Sequence, residues 1–172
     1  MSFYFKIKLN GGNMRKIYLD RTAFSGAIGV NLEDTEIISA GTSIFSMGVH
    51  DRNEEYQRYA NDYAIQFIFD DDIPHLEFFT VPHVDIMAKD SKGGFIGTVY
   101  QQCDSENDAP ICYINRDLEC FIISENAGDF LINIGTWQDN MKPYDKLTVY
   151  RSKAEAETEL EFINLSDILP LS

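Results

Sequence analysis

The sequence predicts an α+β fold, a mainly antiparallel β-sheet with helices packed on one face. Three observations lead there. Several short runs alternate apolar with polar residues, the period of a half-buried strand. Phe and Tyr, at 12 and nine copies, dominate the aromatic residues and favour sheet faces over a helical bundle. Only a few stretches change to the helical period. At 172 residues the chain is long enough to bury a real core, and one domain spanning residues 1–172 is expected.

Taken in order, Phe3, Phe5, Ile7 and Leu9 alternate with Tyr4, Lys6 and Lys8. Asn10-Gly11-Gly12-Asn13 tolerates positive φ, so a tight hairpin into Lys16–Leu19 is expected. Short strands are expected within Ala27–Leu32, Glu36–Ser39 and Ser43–Met47. From Asn53 the period changes: Tyr56, Tyr59, Ala60, Tyr63, Ala64 and Phe67 share one helical face, with Asn53 as N-cap. Ile65, Phe67 and Phe69 also alternate like a strand, so the end of this helix stays open. Asp70-Asp71-Asp72-Ile73-Pro74 breaks the pattern as an exposed loop, because adjacent carboxylates stay in water. His75–Val81 reads as a strand closed by Pro82.

Val84–Ile134 has the clearest character: strand, turn, strand, acidic loop, hairpin and short helix. Asp90-Ser91-Lys92-Gly93-Gly94 is its first turn, with glycines for positive φ and Asp90 bonding the turn backbone. Ser124 is the expected cap of a helix whose inward face is Ala127, Phe130, Leu131 and Ile134. Lys146–Tyr150 is a further strand. Ser152-x-x-Glu155 is a capping box opening a helix through about Ile163, with Ala156, Leu160 and Ile163 inward.

Charge bounds the function more than any motif. The net charge is −14. Residues 1–69 carry seven Lys and Arg against eight Asp and Glu, a net of −1. Residues 70–172 carry seven against 20, a net of −13. Such a surface repels phosphates, which argues against nucleic acid and anionic membrane as direct partners. It would steer a basic protein inward, or serve solubility alone. Cys103, Cys112 and Cys120 are odd in number and match no zinc or redox spacing, which reads as core thiols in a reducing compartment. The N-terminus lacks a signal-peptide pattern and no apolar run has membrane-spanning length, so a cytoplasmic protein is expected.

The chemistry-bearing motifs are few. Gly26, Gly29, Gly41 and Gly48 do not make a dinucleotide fingerprint, and DSKGG places its lysine before the glycines, the reverse of a phosphate loop. No serine sits in a nucleophile elbow. His75, His83 and Asp85, with His50 and Asp51, lack zinc spacing, though His83 and Asp85 would share a strand face. The Asp70–Asp72 run lacks the organised oxygens of a calcium loop. The sequence predicts no catalytic residue, no metal and no cofactor.

The order of parts over residues 85–134 resembles the core of the SUKH superfamily, which includes fungal cell-wall-synthesis regulators and bacterial toxin-immunity proteins. The matching parts are Ala88–Phe95 with its glycine pair, the acidic loop Asp104–Ala109, Pro110-Ile111-Cys112-Tyr113-Ile114, the turn Asn115-Arg116-Asp117, Leu118–Ile123 and the helix from Ser124 to Leu131. The chain has Asn10-Gly11-Gly12 but an extended N-terminus in place of the family's leading helix and Leu-Pro element.

The resemblance implies a non-enzymatic protein-binding domain, in a bacterium an immunity protein that neutralises a basic toxin such as a nuclease. The expected partner-binding patch is Asp70, Asp71, Asp72, Asp104, Glu106 and Asp108. Two other classes stay open: an intracellular regulatory or scaffold domain of the same fold, and a small hydrolase-type enzyme whose site only tertiary structure assembles. Exposed aromatics or an unpaired edge strand would support a homodimer.

Overall fold

The computed structural model describes residues 4–5, 15–22, 28–30, 34–100, 109–163 and 169–170. In chain order its strands are β1 (Tyr4–Phe5), β2 (Arg15–Asp20), β3 (Ile28–Val30), β4 (Thr35–Ala40), β5 (Thr42–Ile44), β6 (Gln66–Phe67), β7 (Phe79–Val81), β8 (Val84–Lys89), β9 (Phe95–Val99), β10 (Ile111–Ile114), β11 (Cys120–Ser124), β12 (Lys142–Pro143), β13 (Thr148–Tyr150) and β14 (Leu169–Pro170). The α-helices are α1 (Glu54–Tyr63), α2 (Ala127–Ile132) and α3 (Lys153–Glu157), and a 3-10 segment covers Ile134–Asn140. The fold is α+β. A seven-stranded sheet runs β12-β11-β10-β9-β8-β5, with β6 also pairing to β8. Its β8–β12 part is antiparallel throughout, and β5 joins β8 in parallel.

The two faces of this sheet carry different cores. On one, Ile96, Ile111, Tyr113 and Ile123 pack with Tyr59 of α1, Phe130 of α2, and Ile134 and Trp137 of the 3-10 segment. On the other, Val84, Ile86, Val99, Cys112 and Ile114 pack with Ile68 and Leu147, and with Leu76, Phe78 and Leu118. Strand alternation sorts β10 cleanly: Ile111 and Tyr113 face the helices, while Cys112 and Ile114 face away. Strand β8 breaks its own alternation. Val84 and Ile86 belong to the second core, whereas Met87 and Ala88 belong to the first. A bulge between Ile86 and Ala88 in the β8–β9 pairing supplies the extra residue that reverses the parity.

Helix α1 forms where the periodicity places it. Asn53 caps it by accepting from the Glu55 and Tyr56 N–H groups. It ends at Ala64, which takes a left-handed φ of 58° and lets Ile65 dive into the core. Phe67 then meets Tyr56 and Tyr59 at ring distances of 5.3 and 5.9 Å. The aromatic stripe is thus core packing against β6.

Five expectations are corrected. No hairpin joins β1 to β2 among the described residues: β2 pairs in parallel with β4, and β1 in parallel with β3. Alternation predicted the strands but carries no information about which strand each one meets. The strand expected over His75–Val81 is only β7, because β13 pairs no further than Phe79. Asn126, and not Ser124, caps α2. Its side chain accepts from the Asp129 N–H, while Ser124 ends β11 and donates to the Asn126 carbonyl. Leu131 is half exposed, since α2 lasts six residues before the 3-10 segment changes the helical phase. Helix α3 stops at Glu157, short of Ile163. Ser152 nevertheless caps it by accepting from the Glu155 N–H, while the Glu155 carboxylate reaches one residue further back than a capping box requires and accepts from the Arg151 N–H. Glu155, Glu157, Glu159 and Glu161 repel one another along the path a longer helix would take.

The Asp90 turn is built as expected. Asp90 Oδ1 accepts from the Lys92 and Gly94 N–H groups, and Asp90 Oδ2 accepts from the Tyr113 hydroxyl at 2.5 Å. Burial and this carboxylate push the Tyr113 phenol well up from its ordinary pKa. Gly94 is obligatory here, because a Cβ would stand 2.2 Å from the Tyr113 hydroxyl. Gly94→Ala should therefore cost about 1–3 kcal/mol of folding stability by urea titration. In a Tyr113→Ala background most of that added cost should vanish, since the obstructing ring is gone.

Candidate functional site

Helix α1, α2 and the 3-10 segment lie side by side on the sheet, and the seam between them is a groove. The Trp137 indole N–H donates to the Tyr63 carbonyl at 2.9 Å, fixing the last turn of α1 to the 3-10 segment. Trp137 packs in turn at a tilt against Tyr113, 5.2 Å away, so the groove is anchored to the sheet. Two contiguous cavities of about 420 and 270 Å³ run along the seam and share Tyr63, Gly135 and Thr136. Leu131 and Ile132 form its apolar lip, Ile132 at 80% exposure. Asp62 and Asp139 line it without an ion pair among the described residues. The cation lining it is Arg58, which sits 3.9 Å from Glu55 and over the Tyr59 ring. The seam therefore combines exposed aliphatic surface with uncompensated negative charge.

The acidic run is exposed, as expected, but much of its charge is already matched. Asp71 receives two hydrogen bonds from the Arg52 guanidinium, the main cause of its lowered pKa. Asp72 lies 3.4 Å from the Lys89 ammonium, and Asp70 accepts from the Ser46 hydroxyl. Arg52 also stacks on Phe69 at 4.5 Å. These contacts fold the loop back onto the domain. Asp104, Glu106 and Asp108 lie outside the described residues.

A second polar cluster joins β5 to β8. Ser43 and Asp85 are register partners across the parallel pair, and His83 precedes β8. Ser43 Oγ is 2.9 Å and Asp85 Oδ1 3.0 Å from the same His83 nitrogen, Nε2. These are the residue types of a hydrolytic triad, but the order differs. A triad places serine and carboxylate on opposite ring nitrogens, so that one holds the proton while the other receives it. Here both partners meet one nitrogen: an ionised Asp85 can only accept, so the Nε2 that bonds it carries the hydrogen and has no lone pair to take a proton from Ser43. His83 Nδ1 is buried and makes no hydrogen bond among the described residues. The cluster staples two strands and does not activate Ser43. Burial raises the Asp85 pKa, yet hydrogen bonds with His83, Tyr100 and Ser43 outweigh it and hold the carboxyl below its ordinary value.

His50 stands beside Asp51 on the surface, and His75 lines a separate cleft, so the histidines do not converge. No group of three His, Cys, Asp or Glu side chains fit to hold a metal ion occurs among the described residues. Cys112 is buried on β10. Its contact with Cys120 and its burial hold the thiol well above its ordinary pKa, which makes it a packing residue. No helix among the described residues is long and apolar enough to cross a membrane. No protein-family model, curated protein or solved structure matches the chain.

Sequence reasoning missed the groove. Asp62 and Asp139 are 77 positions apart and look like ordinary solvated residues until α1 meets the 3-10 segment. Ile132 carried a usable signal, an apolar residue directly beside the face assigned to the core.

The Asp85 staple makes a signed prediction. Its carboxyl has a lower pKa folded than unfolded, so its stabilisation is full above the ordinary carboxylate range near pH ~4. It disappears as the pH falls through the folded value. Asp85→Asn should destabilise at neutral pH by about 1–3 kcal/mol. The gap between the two proteins in denaturant titrations should close on acidification.

Proposed function

We propose that this chain is a non-enzymatic binding domain that captures a basic protein, acting as immunity proteins of the SUKH superfamily do against their toxins. The observation that carries the reading is the helical seam, where exposed Leu131 and Ile132 lie beside the uncompensated carboxylates Asp62 and Asp139. An apolar centre with a charged rim is the anatomy of a protein-binding surface. Residues 70–172, at a net −13, add a long-range field that steers a cationic partner toward the surface. The Asp70–Asp72 loop and the Asp104–Asp108 stretch extend that field. Arg52 and Lys89 reduce the share that the first of them contributes at short range.

The division of labour follows from the physics. Charge accelerates the encounter and is screened by salt, whereas burial of Ile132 and Leu131 slows dissociation. A reducing cytoplasm suits the free thiols of Cys112 and Cys120.

The test is co-expression with a toxin encoded beside this chain, scored as growth protection. The intact chain should protect, and Ile132→Asp should not, with binding weakened about 100-fold through faster dissociation. The pair Asp62→Lys and Asp139→Lys should instead slow association and flatten its dependence on salt. Absence of both protection and binding by the intact chain would overturn the reading.

A further inference from the structure

On the sheet face opposite the helical layer lies a cleft of about 590 Å³, within the range of small-ligand sites. Two β-turns and an irregular segment build it. The turn after β8 contributes Gly93, whose φ of 84° requires glycine and whose bare backbone lies beside the aliphatic stem of Arg116. The turn after β10 is locked by Asn115, whose side chain accepts from the Asp117 and Glu119 N–H groups at 3.0 and 2.8 Å. The Asn115 carbonyl also accepts from the Leu118 N–H. Within it Leu118 is held at a φ of 64°, a left-handed conformation uncommon for leucine. The floor is apolar: the Phe78 and Phe95 rings meet at 5.6 Å, tilted by 50°, with Leu118 beside them.

The charges of this cleft are unlike those of the rest of the molecule. Arg116 and Arg151 both line it, and neither guanidinium makes an ion pair or hydrogen bond among the described residues. That is unexpected in a chain of net −14, where carboxylates outnumber cations two to one. Elsewhere the arginines find partners, Arg15 with Glu161 and Arg52 with Asp71. Glu77 and Asp117 also line the cleft without an ion pair among the described residues, so both signs of charge surround one aromatic floor.

We propose that this cleft binds an aromatic amino acid through its free carboxylate, as the free molecule or as the C-terminal residue of a peptide. The planar guanidinia of Arg116 and Arg151 match a carboxylate in geometry as well as charge. The ring lies on Phe78 and Phe95, where offset or edge-on aromatic contacts are favourable. Glu77 and Asp117 receive the ammonium of the free amino acid, or the amide N–H of a peptide. A polyanion such as a nucleotide is disfavoured by the same two carboxylates.

The experiment is titration of the full chain with phenylalanine, N-acetylphenylalanine and phenylalaninamide, followed by amide chemical shifts in two-dimensional NMR. Phenylalanine and N-acetylphenylalanine should shift resonances of Gly93, Asn115–Leu118 and Arg151, and phenylalaninamide should not. Arg116→Gln and Arg151→Gln, both at exposed positions, should each weaken binding about tenfold without changing the fold. Tighter binding of phenylalanine than of its N-acetyl form identifies the free amino acid as ligand, and equal binding identifies a peptide terminus. Three results would overturn the proposal: no shifts at millimolar ligand, binding of the amide equal to the acid, or undiminished binding by the arginine variants.

Discussion

The hydrogen bond from the Trp137 indole to the Tyr63 carbonyl is the joint on which the helical layer depends. Helix α1 ends at Tyr63 because Ala64 turns left-handed, and a helix end leaves carbonyls without intrahelical partners. One of these is satisfied by a side chain 74 residues further along the chain. The same tryptophan rests on Tyr113, and the Tyr113 hydroxyl holds Asp90. A continuous path of contacts therefore links the Asp90 turn, the centre of β10, the 3-10 segment and the end of α1. The seam between α1 and the later helices keeps its shape because both of its walls are tied to that path.

The sheet beneath has its own constraint. Strand β8 meets β5, β6 and β9, and contributes to both cores. A regular strand presents a fixed set of residues to each face, and the bulge after Ile86 lets β8 change sides partway along. Gly97 opposes this strand closely enough that a Cβ would stand 2.7 Å from the Asp85 carbonyl. Below the bulge, the Ser43–His83–Asp85 staple holds β5 to β8, the parallel pairing in the seven-stranded sheet. Polar side chains thus do here what a longer ladder would do elsewhere. The cluster has the composition of a catalytic site and the connectivity of a strut.

Much of this was legible in the sequence wherever the deciding physics is local. Asn53 capping α1, Asp90 bonding its turn and Ser152 capping α3 are interactions within four residues, and each forms at the expected position. The apolar run Ile111–Ile114 marks a strand, but with all four residues buried its sequence does not say which core each one faces. What local pattern lacks is the partner. Alternation in β2 said nothing of β4, and the acidity of Asp71 and Asp72 gave no hint of Arg52 and Lys89 closing on them. The charge asymmetry of the sequence is a sum, and the fold sets how it is distributed over the surface. Ion pairs across the fold remove some carboxylates from the field, while Asp62 and Asp139 gain importance from the apolar residues beside them. Arg116 and Arg151 were hidden for the same reason: two ordinary surface arginines become a pair only when the turn after β10 and the segment after β13 line one cleft.

The central claim is that a cationic protein seats on the seam between α1 and the helices after β11. Hydrogen–deuterium exchange of the chain, alone and in complex with a basic toxin, addresses it directly. The account predicts slowed exchange in peptides covering residues 58–64 and 130–140, with smaller changes over residues 70–72. Protection confined to the remaining surface, with the seam exchanging as it does in the free chain, would contradict it.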